Sequence, residues 1–230
     1  RPFRRSRHAS TWLARIEPLG EVFIKQLDPP TGLAALGASL RKPRVRRVGD
    51  VVSLLRCDGF EVPQVLLTAT HRDGRELIVT ARAAGFMLPR AIRERAQDLA
   101  RKRTLLRDLG REIARLHRSG YLHGDLTPFN VLIPATEPAR FTLIDHERTR
   151  RTLGSRFTRA RLRNLVQLGH FEFPGVTRSD RMRVWRGYSE SMSRQRRGAE
   201  LTRLVRMLEA RRTRELRNIG LKLRWFQAPK

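Results

Sequence analysis

The chain has 230 residues, 40% of them hydrophobic, which suits a globular protein with one large core or two lobes and excludes a disordered chain. No apolar run approaches the ~18 residues that span a bilayer, and Cys57 is the only cysteine, so an internal disulfide and a cysteine-built zinc site are both excluded. Basic residues outnumber acidic ones 49 to 22, a net charge of +27 that attracts polyanions: nucleic acid, an anionic membrane face or a phosphorylated substrate.

Only Lys25, Lys42, Lys102, Lys222 and Lys230 among the basic residues are lysine, so an arginine-rich composition filling solvated faces stands evenly beside a functional account of that charge. The six histidines are scattered without metal-ligand spacing. Arg1 to Arg7 is basic, but no apolar h-region follows, so no secretory leader is expected there.

Trp12 to Ile16 and Glu21 to Leu27 read as strands joined by a turn at Pro18-Leu19-Gly20. Lys25 sits inside the second, apolar strand, where an ammonium needs a partner; a phosphate group is one, and a solvent-facing edge strand is the alternative. The stretch Ser6-Arg7-His8-Ala9-Ser10-Thr11 is expected as a turn that meets phosphate oxygens through Ser10, Thr11 and backbone N–H groups, although it holds no G-x-G-x-x-G. Asp28-Pro29-Pro30-Thr31-Gly32 closes the strand.

Val48, Val51, Val52, Leu54 and Leu55 fit an amphipathic helix over 39–56, broken at Pro43. It holds no glutamate, and Asp50 is its one acidic residue placed to pair with Lys25. Strands are expected near 64–71 and 75–82 around a His71-Arg72-Asp73-Gly74 turn, then a connector from Thr80 to Gly85. Beyond Pro89 the chain reads helical. Leu105, Leu106, Leu109, Ile113 and Leu116 share a face, Gly110 is a tolerated interruption, and Arg118-Ser119-Gly120 ends the helix beneath a loop at 121–130.

That loop reads His123-Gly124-Asp125-Leu126-Thr127-Pro128-Phe129-Asn130, followed by apolar Val131 to Ile133. An Asp five residues before an Asn suits phosphoryl transfer: Asp125 takes the proton of an attacking hydroxyl and Asn130 gives an oxygen to Mg²⁺. Phe141-Thr142-Leu143-Ile144-Asp145 is a short strand ending in a carboxylate, where a metal bridging ATP phosphates is held. After Asp145 no further strand is expected. Helices at 157–170, 178–194 and 198–216 follow, the last with a core-facing stripe of Leu201, Leu204, Val205 and Leu208.

These two motifs resemble the protein-kinase-like fold. The departures from ordinary protein kinases are Asp145-His146-Glu147 without the usual glycine, Thr127 where serine/threonine kinases carry lysine, and no Ala-Pro-Glu. With Gly59-Phe60-Glu61-Val62-Pro63, the chain resembles the lipopolysaccharide core kinases that phosphorylate Kdo and heptose sugars, from about Trp12 to Tyr188. The resemblance implies an α+β, bilobal fold, with a β-rich N-lobe at 1–84 and a helical C-lobe at 85–230 carrying the catalytic loop. It implies Asp125 as base, Lys25 and the Ser10-Thr11 turn on ATP, and Asn130 and Asp145 on Mg²⁺. His123 would brace the loop, with His146 and Glu147 on substrate or behind the site. It further implies an anionic lipid-linked sugar acceptor and a cytoplasmic enzyme peripheral to the inner membrane. The clusters Arg159-Ala160-Arg161-Leu162-Arg163 and Arg194-Gln195-Arg196-Arg197 would be its membrane face, and nucleic acid is the weaker partner. Two rivals stand beside this reading. One is a small serine/threonine kinase of the type associated with tRNA modification, which shares the His-Gly-Asp-Leu-Thr loop. The other is a pseudokinase binding module, favoured by the missing helix glutamate and the glycine-poor phosphate turn.

Overall fold

The computed structural model describes residues 4–5, 9–29, 42–95, 97–134, 140–152, 156–170 and 175–227. In chain order its first elements are β1 (Arg4–Arg5), β2 (Ala9–Ile16), β3 (Gly20–Leu27), α1 (Arg44–Cys57), β4 (Val65–Thr70), β5 (Glu76–Ala81) and β6 (Phe86–Met87). They are followed by α2 (Leu88–Glu94), α3 (Leu99–Arg118), β7 (Tyr121–Leu122), β8 (Val131–Ile133), β9 (Thr142–Leu143) and β10 (Arg150–Arg151). Helices α4 (Arg156–Gly169), α5 (Arg178–Tyr188) and α6 (Arg194–Gln227) complete it. Pro30-Thr31-Gly32 and Ser6-Arg7-His8 of the expected turns lie outside the described residues.

Five antiparallel strands form one sheet in the order β1-β2-β3-β5-β4. Gly20, at φ 74, lets the β2–β3 turn close, and the register then sets Thr11 opposite Lys25 and Trp12 opposite Ile24. The β4–β5 turn is held by His71 N–H on Arg75 O at 2.8 Å and Gly74 N–H on His71 O at 3.0 Å.

Helix α1 starts after Pro43, where the sequence places a break, and buries Val45, Val48, Val51, Val52 and Leu55; residues 39–41 of the expected helix lie outside the described residues. Four valines make it a poor helix former on propensity alone. Burying each such side chain is worth roughly 1.5–3 kcal/mol, which outweighs that deficit. Its first turn is fixed by the buried Glu76 of β5, whose carboxylate accepts from Arg44 N–H at 3.0 Å and Arg44 Nε at 3.2 Å.

Contacts group the chain into two compact units. One is Arg1–Leu88 with His123–Asp125 and Asn130–Arg151; the other is Pro89–Leu122 with Leu126–Phe129 and Thr152–Lys230. The units therefore do not divide at 84/85 into contiguous halves. The segments carrying Asp125, Asn130 and Asp145 join the sheet-containing unit, because β8 pairs with β6 and β9 in a second antiparallel sheet and Leu143 N–H bonds Glu61 O at 3.0 Å. Gly85, in the expected connector, lies against Ile133 so closely that a Cβ there would strike the Ile133 carbonyl.

The helical unit is organised on α3, whose Leu105, Leu106, Leu109, Ile113 and Leu116 are all buried. Gly110 is more than a tolerated interruption: α5 crosses it there, and a Cβ on Gly110 would collide with Val184 O, as one on Gly187 would with Arg107 O. Behind that crossing lies a buried polar chain. Arg161 Nη1 donates to Tyr188 Oη at 2.8 Å, Tyr188 Oη meets His117 Nδ1 at 2.9 Å, and His117 Nε2 meets Asn164 Oδ1 at 3.3 Å. Arg161 is also ion-paired with buried Glu200. This corrects the expectation that Arg161 belongs to an exposed membrane-facing cluster. The apolar stripe on α6 is likewise only partly core, with Leu204 buried and Val205 42% exposed.

Candidate active site

Strand β3 carries Lys25 into contact with the segment that follows β9. Lys25 Nζ is 3.2 Å from Asp145 Oδ1 and pairs also with Glu147. Burial works against the ammonium charge, but the two carboxylates outweigh it and raise the Lys25 pKa above its ordinary value. The sheet register places Thr11 directly across from Lys25 and Ser10 across from Gln26. Side chains alternate along a strand, so Thr11 shares the Lys25 face and Ser10 takes the other. Both lie inside β2 and not in a turn, which corrects that expectation.

Asp50, the sequence's candidate partner for Lys25, is ion-paired with Lys42 on an exposed face. Glu147 stands in its place. The His146–Arg148 helical turn packs against α1, so a carboxylate from that turn reaches Lys25 although α1 itself supplies none. The signal in the sequence is the acidic residue two positions after Asp145.

Asp145 has φ 66, the one positive-φ non-glycine among the described residues. Aspartate tolerates the left-handed region better than most residues, and such backbone at a charged cluster points to a positional demand on the carboxylate. Its preceding residue is tied to the loop: Ile144 N–H bonds Asn130 O at 3.1 Å. Asn130 in turn donates from Nδ2 to Asp125 O at 2.9 Å, with Asp125 Oδ2 at 3.4 Å. The Asn130 amide nitrogen faces Asp125, leaving Asn130 Oδ1 as an acceptor.

Two buried histidines hold this arrangement from behind. His123 Nε2 donates to Ile144 O at 2.9 Å and His146 Nε2 donates to Leu143 O at 2.8 Å. Thr149 Oγ1 lies 3.1 Å from both His123 O and His146 Nδ1. Burial lowers the His123 pKa to about 4 and the His146 pKa to about 3, so both rings are neutral. A neutral ring with its proton on Nε2 suits a carbonyl partner, and neither ring is placed to exchange protons. Gly124, at φ 77, packs onto the Arg148 backbone with no room for a Cβ.

Among the described residues no group of three or more His, Cys, Asp or Glu could hold a metal. Mg²⁺ does not need one. It is held by one or two protein oxygens, with water and phosphate completing its shell. Asn130 Oδ1 and the Asp145 carboxylate are hard oxygen donors of that kind and fit the ion.

The lipopolysaccharide kinase (Kdo/WaaP) family model matches residues 34–188. A probable serine/threonine-protein kinase BUD32 homolog from Archaeoglobus fulgidus is 27% identical over 95 residues, which is 40% of this chain. The match spans 48% of that relative, about half its length. The structure of the Cydia pomonella granulovirus kinase PK-1 aligns with a TM-score of 0.42 at 16% identity, covering 62% of this chain and 48% of that one. With more than half of its length matched by the family model, the chain belongs to the lipopolysaccharide kinase (Kdo/WaaP) family.

Proposed function

We propose that the protein is an ATP- and Mg²⁺-dependent kinase that phosphorylates a hydroxyl of a lipopolysaccharide inner-core sugar, Kdo or heptose. The observation that carries phosphoryl transfer is the meeting of Lys25 with Asp145 across 120 residues of sequence, in the unit that also holds Asp125 and Asn130. The sugar acceptor is supported by the family match.

Asp125 accepts the proton of the attacking hydroxyl as the new bond to the γ-phosphorus forms and the bond to the ADP oxygen breaks. Asn130 fixes the Asp125 backbone and carboxylate through its amide hydrogens. Lys25 exchanges a carboxylate for the phosphates of ATP, with Glu147 keeping its ammonium in place. Asn130 Oδ1 and the Asp145 carboxylate would hold Mg²⁺, which would supply positive charge to the phosphates of ATP. The acceptor is lipid-linked and anionic, and among the described residues no helix is long and apolar enough to cross a membrane. A peripheral enzyme drawn to an anionic face by a charge of +27 accounts for both.

The relative from Archaeoglobus fulgidus favours a second reading, a protein kinase. ATP turnover on Kdo- and heptose-bearing lipid acceptors, on protein substrates and on RNA-bound protein decides between them. Transfer of label to the sugar that disappears in Asp125→Asn is the expected result. Label appearing on protein alone overturns the sugar reading.

A further inference from the structure

We propose that the groove between α3 and α5 in the helical unit is a binding site for a compact, multiply phosphorylated group. The groove has a volume of about 480 Å³. Its walls carry Arg103 and Arg107 of α3, Arg183 and Arg186 of α5, and Arg197 of α6, against a single carboxylate, Glu190. Thr104 is the remaining wall residue, so no apolar side chain lines it. Such a surface offers nothing to an apolar ligand and much to an anion.

The arginines are not all alike. Arg107 is oriented by Glu190 at 2.5 Å, and Arg183 by buried Asp180 at 2.8 Å. Asp180 is itself tied to Lys102 at 2.7 Å. Among the described residues Arg197 reaches only backbone carbonyls, those of Glu190 and Met192, each at 3.4 Å. Arg103 and Arg186 have no acidic partner among the described residues. The groove therefore holds arginines already fixed in place and arginines whose charge is not neutralised. Guanidinium groups bind phosphate oxygens in pairs, and charge-assisted bonds of this kind are the strong ones.

Helices α3 and α5 are in backbone contact beside Arg107. The Gly110 and Gly187 crossing brings the two helix backbones together, so the spacing of the arginine rows is set before a ligand arrives. A volume near 480 Å³ is that of a small-ligand pocket, roughly 300–1,000 Å³, and suits a headgroup with several phosphates better than an extended polymer. The site lies wholly within the helical unit, whereas Lys25, Asp145 and Glu147 lie wholly within the other, so it stands independently of which acceptor is phosphorylated.

The test measures binding of inositol hexakisphosphate by calorimetry, and of phosphatidylcholine vesicles doped with phosphatidylinositol bisphosphate by co-sedimentation. Arg103→Gln/Arg186→Gln is compared with Arg203→Gln/Arg206→Gln, a pair of equal charge on an exposed face of α6. Both pairs should melt like the parent protein. The groove pair should lose about tenfold or more in affinity and the α6 pair no more than about threefold. Loss on the vesicles as well assigns the phosphates to a lipid headgroup; loss on the soluble probe alone assigns them to a free polyphosphate. Equal losses in the two pairs, or no binding of either probe, overturn the proposal. So does tighter binding of single-stranded RNA that the groove pair abolishes, since the surface would then serve a polymer.

Discussion

Lys25 on β3 is paired with Glu147, two residues beyond Asp145, and not with an acid on α1. Helix α1 holds no glutamate, and the carboxylate comes from the turn that packs on the same helix. Lys25 and Glu147 should then behave as a pair. Lys25→Ala and Glu147→Gln should be non-additive in ATP affinity by about 0.5–3 kcal/mol. Lys25→Ala and Asp50→Ala should be additive, since Asp50 belongs to Lys42. Additivity in the Glu147 cycle would reduce that contact to a bystander.

Asp125→Asn keeps the shape of the loop and removes the carboxylate proposed to accept the proton. We expect kcat to fall about 10²–10⁴-fold with ATP affinity nearly unchanged. Single-turnover kinetics with a separate nucleotide-binding assay check both halves of that statement. A matching fall in ATP affinity would move Asp125 from the base to the nucleotide site.

Mg-ATP should raise the melting temperature. A ligand at roughly a hundredfold excess over its Kd adds about 2.7 kcal/mol to apparent stability. The gain should vanish in Asp145→Asn or when Mg²⁺ is withheld with EDTA. A shift that survives both would mean that nucleotide is held without this carboxylate and the ion.

His117, His123 and His146 are buried neutral, with pKa values lowered by burial to about 3, about 4 and about 3. An unfolded histidine titrates near ~6.5, so below that pH the unfolded chain binds protons that the folded chain refuses. Stability is fully present above ~6.5 and falls as the pH drops toward 4, by up to about 1.4 kcal/mol per histidine per pH unit. Urea melts at pH 7, 6 and 5 should show this loss. The His123→Gln and His146→Gln proteins should show a shallower slope. An unchanged slope would mean that these rings take up protons alike in the folded and unfolded chain.

Arg161→Gln removes the buried one of the two arginines paired with Glu200, leaving Arg196 at 3.0 Å, and should cost about 1–3 kcal/mol. Arg163→Gln, two residues on and exposed, should stay within about 0.5 kcal/mol. Equal midpoints for the two variants in a denaturant titration would remove Arg161 from the core.

The pattern of apolar residues and turn chemistry made most elements readable, including the β2–β3 hairpin, α1 after Pro43 and the buried face of α3. These are local properties, set by period and by Gly or Pro. The pairing of Lys25 with Glu147 was not readable, because a search of the helix for an acidic residue nominates Asp50 but cannot see that the turn after Asp145, itself 120 residues from Lys25, packs beside the same helix. Ser10 and Thr11 were misplaced for a related reason. Hydroxyl residues suit both turns and strands, and only the pairing with Gln26 and Lys25 decides. Arg161 shows the limit of reading charge runs: alternate arginines on a helix point in different directions, and one of them is core.

The left-handed backbone at Asp145 restricts which side chains position 145 accepts at all. Glycine, asparagine and aspartate enter that region readily, whereas alanine meets a steric penalty of about 1–2 kcal/mol there. An alanine variant would thus report two injuries at once, a missing carboxylate and a bent chain, and a lower melting point would be credited to the wrong one. Asparagine and glycine, used together, separate the charge from the shape. The same restriction narrows the routes by which single substitutions could silence the site while leaving the fold intact.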